Sequence, residues 1–370
     1  MNKRISFYIP RMTYGGAEKV ILNLIEGMLK YTTYEIDLVL LKNIGEYSKY
    51  IPKKVNIIDL DVKSEYYALF PLIKYLRHRK PQILFSNYLH ISAILAVKIL
   101  RGKTKNVLIF HNFIDTELTF RKKTFNIIIR RFFSKKLFYR ADWSIVVVRA
   151  LIKDISNYYK ISKEKISVIH NPVIIDDEVS IDCNIQIMKK SRPFKILAVG
   201  RLEPEKNFIL LLQAMVLLKN KLDFYVKILG DGSEKKMLSA YIEAHKLGEY
   251  VQLVGYVDNV DNYMQGSNVV VITSPKEACP NVALEALKNS RYIVSTNCIG
   301  IRDIIINEEH GIILRKNTAT ELSNVLYKIA QANNIDSSKI KNRAKDFLLP
   351  NIIKQYVECI ERVTLINRRS

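Results

Sequence analysis

A chain of 370 residues is longer than one hydrophobic core usually organises, and 48% apolar with 10% aromatic residues is enough for two packed domains. With 13 Gly, 10 Pro, no low-complexity run and no solenoid-length repeat, the composition excludes a long disordered segment or a repeat array. The formal charge of +22 is uneven: residues 1–170 carry 31 Lys/Arg against 13 Asp/Glu, and residues 171–370 carry 27 against 23, so the first half points to an anionic surface or substrate.

No apolar run reaches membrane-spanning length, and the first one passes straight into Pro10 and Gly15 rather than forming a signal-peptide core, so a cytosolic protein is expected. Cys183, Cys279, Cys298 and Cys359 lie far apart without a CxxC pair, which predicts reduced thiols rather than a zinc site or disulfide framework.

In chain order, short apolar runs at residues 5–9, 35–41, 55–59, 82–86, 106–110, 143–148 and 166–169 read as strands. Helical patterns lie between them at 17–29, 66–79 and 91–100. His170-Asn171-Pro172 closes a first domain over 1–172, and a polar stretch over 173–193 links it to a second over 194–349. There the pattern restarts, with strands at 195–199, 224–230, 251–254, 269–273, 292–295 and 311–314. A final helix within 350–370 is expected to pack back onto the first domain. Strands separated by helices of ten or more residues predict parallel sheets, an α/β fold of two doubly wound domains that bind ligands beyond the carboxyl ends of their strands.

Several motifs fall at those strand ends. Gly15-Gly16-Ala17-Glu18 follows the first strand and opens a helix, so the backbone at Gly16 can approach a phosphate or hydroxyl, although a tight turn alone explains the pair as well. His111 stands directly after the fifth strand, where a cleft residue belongs, but a lone histidine is as often structural. Asp59-Leu60-Asp61 could pass for a metal-binding DxD, yet it ends a strand far from the other motifs and reads as a solvated strand end, so no metal is assigned.

The segment 121–140 holds eight basic residues and no acidic ones, interleaved with Phe125, Phe132, Phe133 and Phe138. That is the composition of an interfacial helix, with Arg130, Arg131, Lys135 and Lys136 facing an anionic membrane; the alternative is a core helix with a basic outer face. Nucleic acid would also be drawn to this charge, but no module that reads nucleic acid accompanies it.

In the second domain, Gly200-Arg201-Leu202 leads to Lys206-Asn207 across a strand-to-helix turn. Arg201 and Lys206 can converge on one diphosphate, the former as a planar fork and the latter as a point charge. Glu203 and Glu205 offer a competing reading of the same turn as a solvated salt-bridge cluster. Gly230-Asp231-Gly232 reads as a tight turn at a strand end. Glu277 and Glu285 bracket a helix start at Pro280, so one carboxylate can hold a ribose diol while the other reaches a sugar. An acidic helix start capping itself remains the bland alternative.

This ordered set, from Gly15-Gly16-Ala17-Glu18 through Gly200-Arg201-Leu202, Lys206-Asn207, Gly230-Asp231-Gly232 and Gly255-Tyr256-Val257 to Glu277 and Glu285, resembles the retaining glycosyltransferases of family 4, in particular bacterial enzymes of O-antigen, capsule and lipid-linked glycan synthesis. The resemblance covers nearly the whole chain. It implies the GT-B architecture, two Rossmann-like domains facing a central cleft, and metal-independent transfer of a hexose or N-acetylhexosamine from a nucleotide sugar, UDP-linked, to a polyprenyl-diphosphate-linked glycan. It also implies a cytoplasmic protein held peripherally on the inner face of the cell membrane, with no nucleic-acid partner.

Carried over position by position, the resemblance makes Arg201 and Lys206 the ligands of the donor diphosphate, with Gly16 under the phosphate or acceptor. Glu285 becomes the ribose ligand, Glu277 the group at the donor sugar near the reacting carbon, and His111 a contact to that sugar. The backbone N–H groups of Asn281 and Val282 would meet the phosphates or sugar. Arg149 departs from the serine of many relatives. Two other readings stay open at this stage: a non-catalytic or nucleic-acid-binding protein that uses the basic surface, and a sugar-nucleotide epimerase of the same fold.

Overall fold

A computed structural model describes residues 3–13, 15–114, 134–172, 193–332 and 335–366. The early elements are β1 (Arg4–Ile9), α1 (Gly16–Tyr31), β2 (Glu35–Leu40), β3 (Asn56–Asp59), α2 (Leu69–Arg79), β4 (Ile83–Asn87), α3 (His90–Leu100), β5 (Lys105–Phe110), β6 (Trp143–Val146), α4 (Ala150–Tyr159) and β7 (Ile166–Val168). They are followed by β8 (Phe194–Val199), α5 (Phe208–Leu218), β9 (Phe224–Leu229), α6 (Lys235–Ala244), β10 (Val251–Gly255), α7 (Val260–Gln265), β11 (Val269–Ile272), α8 (Asn281–Lys288), β12 (Tyr292–Ser295) and β13 (Gly311–Ile313). The chain closes with α9 (Ala319–Gln331), α10 (Ser337–Ala344) and α11 (Leu349–Leu365). It divides into two compact units, Met1–Pro172 with Leu349–Ser370, and Val173–Leu348.

The first unit is built on a parallel sheet of seven strands in the order β3-β2-β1-β4-β5-β6-β7. Its inner strands are nearly continuous apolar runs because helices cover both faces, as parallel sheets require. Ile5, Phe7 and Tyr8 of β1 are fully buried. The buried Asp37 of β2 is paired at the sheet's amino end, accepting from Arg79 Nε and Nη2 and from Tyr75 OH.

α11 packs on α1 within this unit. A Cβ at Gly27 would stand 2.7 Å from Ile353 Cγ1 and Leu349 Cδ1, so glycine is what lets the two helices close. Asn23 Nδ2 donates to the carbonyl of Pro172, and Lys105 Nζ to that of Ile366, tying both ends of the unit's chain to its sheet layer.

The second unit has six parallel strands in the order β10-β9-β8-β11-β12-β13. Its core is one cluster of apolar side chains, mostly aliphatic, from the sheet and from the helices α5 to α10. In both units the strand order reverses once, between β1 and β4 in the first and between β8 and β11 in the second. At such a switch point the connections leave in opposite directions and open a crevice at the carboxyl ends of the two strands.

Most boundaries lie within two residues of the sequence pattern, and the start of the second helix shifts by three. The helix expected from residue 66 begins at Leu69, preceded by a short 3₁₀ turn over Glu65–Tyr67 and then Ala68. Among the described residues, no helix is long and apolar enough to cross a membrane.

Candidate active site

The switch point of the second unit gathers most of the residues singled out by sequence. The chain leaves β8 through Gly200-Arg201-Leu202, while its neighbour β11 ends into Thr273-Ser274 and the loop to α8. Lys206 Nζ thereby reaches Glu277 Oε1 at 2.6 Å, with both side chains largely buried. Ser274 Oγ donates to the same oxygen at 2.6 Å, and Thr273 Oγ1 donates to the carbonyl of Lys206 at 2.6 Å. The lysine is thus pinned at its backbone and at its ammonium, and its aliphatic stem lies 3.4 Å from where a Gly200 Cβ would stand.

Two close backbone crossings set this geometry. Gly230, with φ of +131°, passes so near Gly200 that a Cβ would stand 1.9 Å from the Gly200 carbonyl oxygen. The turn through Asp231 is then stitched to the arginine loop by Leu202 N donating to Asp231 O and Glu234 N to Leu202 O. On the other side, the N–H of Gly300 donates to the carbonyl of Glu277 at 3.1 Å, and a Cβ there would stand 1.4 Å from the Ala278 carbonyl oxygen. Thr296 Oγ1, just past β12, donates to the Ser274 carbonyl at 2.6 Å. The Cys298 thiol, buried beside Glu277, is pushed up to about 11, first by burial and then by the carboxylate.

Arg201 does not join this pair. Its guanidinium is mostly exposed and bonds Glu205 Oε1 at 2.8 Å, the salt partner that the turn itself offers. Glu203 instead accepts from the N–H and hydroxyl of Ser233, which holds its carboxyl below the usual range.

Pro280 is the N-cap of α8, so Asn281 and Val282 stand in its first turn, where backbone N–H groups point outward and the dipole is positive. Glu285 lies one turn further in and is half-buried. The far end of α8 is anchored by Asp261 of α7, which accepts from Lys288 Nζ at 2.8 Å and Asn289 Nδ2 at 2.7 Å. A short helix anchored at its far end presents its amino terminus and Glu285 beside the Glu277 loop.

Gly16 and His111 belong to the other unit. Gly15 is the N-cap of α1 and Gly16 its first residue. Glu18 folds back over Gly15, where a Cβ would stand 2.2 Å from its Oε2, and burial raises the Glu18 carboxyl. His111 follows β5, and its Nε2 lies 2.7 Å from Oδ1 of Asn87, the last residue of the adjacent strand β4. Burial pushes His111 down to about 4, so the imidazole is neutral at physiological pH. Asn87 is 1% exposed, and its Nδ2 has no hydrogen-bond partner among the described residues. Tyr88, next in the chain, takes φ of +65°, rare for an aromatic residue, and its ring lies 5.9 Å from that of His111.

Sequence reasoning missed Ser274, Thr273, Gly300 and Asn87. Thr273, Gly300 and Asn87 act across strands, Ser274 within its own loop, and only their positions at or beyond the carboxyl ends of β11, β12 and β4 could have signalled them. Asp59 uses both carboxylate oxygens on backbone N–H groups, those of Asp61 and Asn43. Among the described residues no cluster of three or more metal-ligating side chains occurs. Arg130 and Arg131 of the basic segment lie outside the described residues. Lys135 and Lys136 are exposed, with Lys135 Nζ 4.2 Å from the centre of the Tyr158 ring.

The second unit brings a cation, a carboxylate and a helix amino terminus to its switch point, and comparison with known proteins assigns the class of the chain. Residues 14–177 match the model described as Glycosyltransferase Family 4, and residues 184–347 the one described as Glycosyl transferases group 1. The chain belongs to these glycosyltransferases, and its parallel-sheet units are those of the GT-B fold. It is 25% identical over 365 residues, 93% of this chain and 96% of the other, to a Campylobacter jejuni enzyme named N-acetylgalactosamine-N,N'-diacetylbacillosaminyl-diphospho-undecaprenol 4-alpha-N-acetylgalactosaminyltransferase. Among solved structures, the lipopolysaccharide outer core galactosyltransferase WaaB superposes with a TM-score of 0.79 at 19% identity, covering 97% of this chain and 99% of that one. Anabaena HepE in complex with UDP and glucose gives 0.76 at 16% identity, covering 96% and 99%.

Proposed function

We propose that this protein is a retaining glycosyltransferase that moves a hexose or N-acetylhexosamine from a UDP-linked donor to a polyprenyl-diphosphate-linked glycan in bacterial surface polysaccharide synthesis. The observation that carries the reading is the Lys206–Glu277 pair at the switch point of the second unit, held by Ser274 and Thr273 and followed by the amino terminus of α8. The full-length likeness to a transferase named for a diphospho-undecaprenol acceptor supports the acceptor class.

The chemistry requires stabilising charge at two places. Breaking the anomeric bond leaves a nucleoside diphosphate, and Lys206, Arg201 and the α8 dipole supply the positive potential for it without a metal ion. Arg201 turns from Glu205 to the diphosphate when the donor binds, an exchange that its exposure permits. The N–H groups of Asn281 and Val282 serve the same phosphates or the sugar, and Glu285 takes the ribose hydroxyls.

Glu277 contacts the donor sugar beside the reacting carbon, where positive oxocarbenium character develops. Its Oε1 already accepts from a cation and a hydroxyl, which lowers its nucleophilicity. That favours same-face attack, with the leaving phosphate oxygen taking the acceptor's proton, over double displacement through a glycosyl-Glu277 ester. In the first unit, Gly16 offers its backbone to a phosphate or acceptor, and neutral His111 can hydrogen-bond a sugar hydroxyl. The basic character of residues 1–170 supports a peripheral position on the anionic inner leaflet, within reach of such acceptors.

Incubation with UDP-sugars and a synthetic polyprenyl-diphosphate glycan, with the product anomer read by NMR, tests this reading. A product with the donor's anomeric configuration is expected. Transfer without an acceptor requirement, giving only an isomerised nucleotide sugar, would favour the epimerase reading instead.

A further inference from the structure

β9 of the second unit breaks the pattern that a parallel sheet imposes. Strands covered on both faces read as near-continuous apolar runs, but β9 alternates: Phe224, Val226 and Ile228 are buried, while Tyr225 and Lys227 are half-buried. Successive side chains of a strand point to opposite faces. Lys195 pairs with Tyr225 and Leu197 with Lys227 in the parallel register, so these four share one face. α7 lies against that face, where the Tyr263 ring centre is 5.1 Å from Lys227 Nζ, but with six residues it is too short to cover it.

The uncovered part is a cavity of about 430 Å³, a size typical of small-molecule sites. Lys195, Tyr225, Lys227, Asn262 and Tyr263 line it, and Leu197 adds an apolar wall. No carboxylate is among its lining residues. Tyr225 OH donates to Gln252 Oε1. The Lys195 and Lys227 ammonium groups, the Asn262 amide and the Tyr263 hydroxyl have no hydrogen-bond or ion-pair partner among the described residues. The carboxylates close by in sequence do not supply one. Asp261 on α7 accepts from Lys288 and Asn289, and the exposed Asp223, Glu249 and Asp258 pair with neither lysine. A half-buried ammonium with an aromatic ring beside it and no counter-ion is matched by an anion from outside. The cavity lies toward the amino ends of β8 and β9, whereas the Lys206–Glu277 pair lies beyond the carboxyl ends of β8 and β11.

We propose that this cavity binds a monosaccharide-sized anion, a sugar ring that carries a phosphate or a carboxylate. Lys195 and Lys227 take the anionic group, while the Asn262 amide and the Tyr263 hydroxyl take ring hydroxyls. Leu197 and the tyrosine rings meet the C–H face of the sugar. An apolar occupant would leave both ammonium groups unmatched. The site is additional to the donor and acceptor sites proposed above and does not depend on them.

Calorimetry on the full chain with glucose 1-phosphate, glucuronate and neutral glucose, each with and without excess UDP, tests the proposal. One of the two anions is expected to bind at a single site with UDP present, and the one that binds tells phosphate from carboxylate. Glucose should bind at least about tenfold more weakly, and Lys195→Gln or Lys227→Gln should weaken the anion by a similar factor, the scale for one charge-assisted contact. Tyr263→Phe, which keeps the ring and loses the hydroxyl, should weaken it less. An unchanged melting temperature shows that the variants fold. Absence of saturable binding by both anions, equal affinity for glucose, or unchanged affinity in both lysine variants overturns the proposal. Anion binding that UDP abolishes belongs to the donor site and overturns it as well, while failure of UDP itself to bind counts against the donor site alone.

Discussion

Lys206 and Glu277 form an ion pair at 2.6 Å although 71 residues separate them. β8 and β11 are hydrogen-bonded neighbours with their carboxyl ends on the same side, so the loops that leave them meet. The pair fixes both partners: the ammonium lies against the carboxylate, and Ser274 Oγ donates to the same carboxylate oxygen.

Removing the lysine leaves Glu277 without its counter-charge and, in the proposed reaction, the leaving diphosphate without a fixed cation. Lys206→Ala should lower transfer at least about a hundredfold, the scale for one lost transition-state charge contact. Arg201→Ala should reach the same scale only if its guanidinium leaves Glu205 for the diphosphate. Turnover of both variants near that of the parent would rule out the diphosphate site.

The two carboxylates should separate in calorimetry with UDP. Glu285→Ala weakens nucleotide binding itself, whereas Glu277→Ala leaves binding largely intact and lowers turnover or blurs the choice of donor sugar. The reverse pattern would exchange their assigned roles.

Gly300 tests whether the position of the Glu277 loop matters apart from its chemistry. Its missing side chain is occupied by the Ala278 carbonyl, so Gly300→Ala must push that loop away. Overpacking of this kind destabilises by about 1–3 kcal/mol. Turnover is expected to fall by more than the loss of melting temperature explains, with UDP affinity less affected.

His111 and Asn87 give a pH signature. With its folded value depressed to about 4 against an ordinary 6.5, His111 adds stability that is complete above about 6.5 and is lost as the pH falls through about 4, because only the unfolded chain takes up the proton in that window. Melting temperatures of the parent and His111→Gln should therefore converge as the medium is acidified across it. Asn87→Asp places a carboxylate at 2.7 Å from Nε2, which favours the imidazolium. The acid limb of the kcat/KM profile should then move to higher pH, whereas Asn87→Leu lowers turnover without that movement.

Much of the fold was legible because strand formation is written locally, in apolar runs such as Val269-Val270-Val271-Ile272 bounded by polar turns. Pro280 likewise marked the start of α8, and with it the placement of Glu277 before the helix and Glu285 within it. The pairings were not legible, since they depend on which strands are neighbours. Within the sequence Lys206 has Glu203 and Glu205 as nearby partners; in the fold it takes Glu277, and Glu205 goes to Arg201. Asn87 meets His111 only because β4 lies beside β5. The start of α2 was missed for a related reason: Tyr66 and Tyr67 continue the helical apolar pattern, but the chain forms a 3₁₀ turn there and leaves both exposed.

The central claim is that protein cations and a helix terminus, not a metal ion, drive departure of a nucleoside diphosphate with retention at the sugar. Transfer from UDP-sugars to a polyprenyl-diphosphate glycan should be measured with EDTA present, for the parent and Lys206→Ala, with the product linkage read by NMR. The account predicts an undiminished rate in EDTA, a product that keeps the donor's anomeric configuration, and a rate at least about a hundredfold lower in the variant. A strict divalent-cation requirement or an inverted linkage would contradict it.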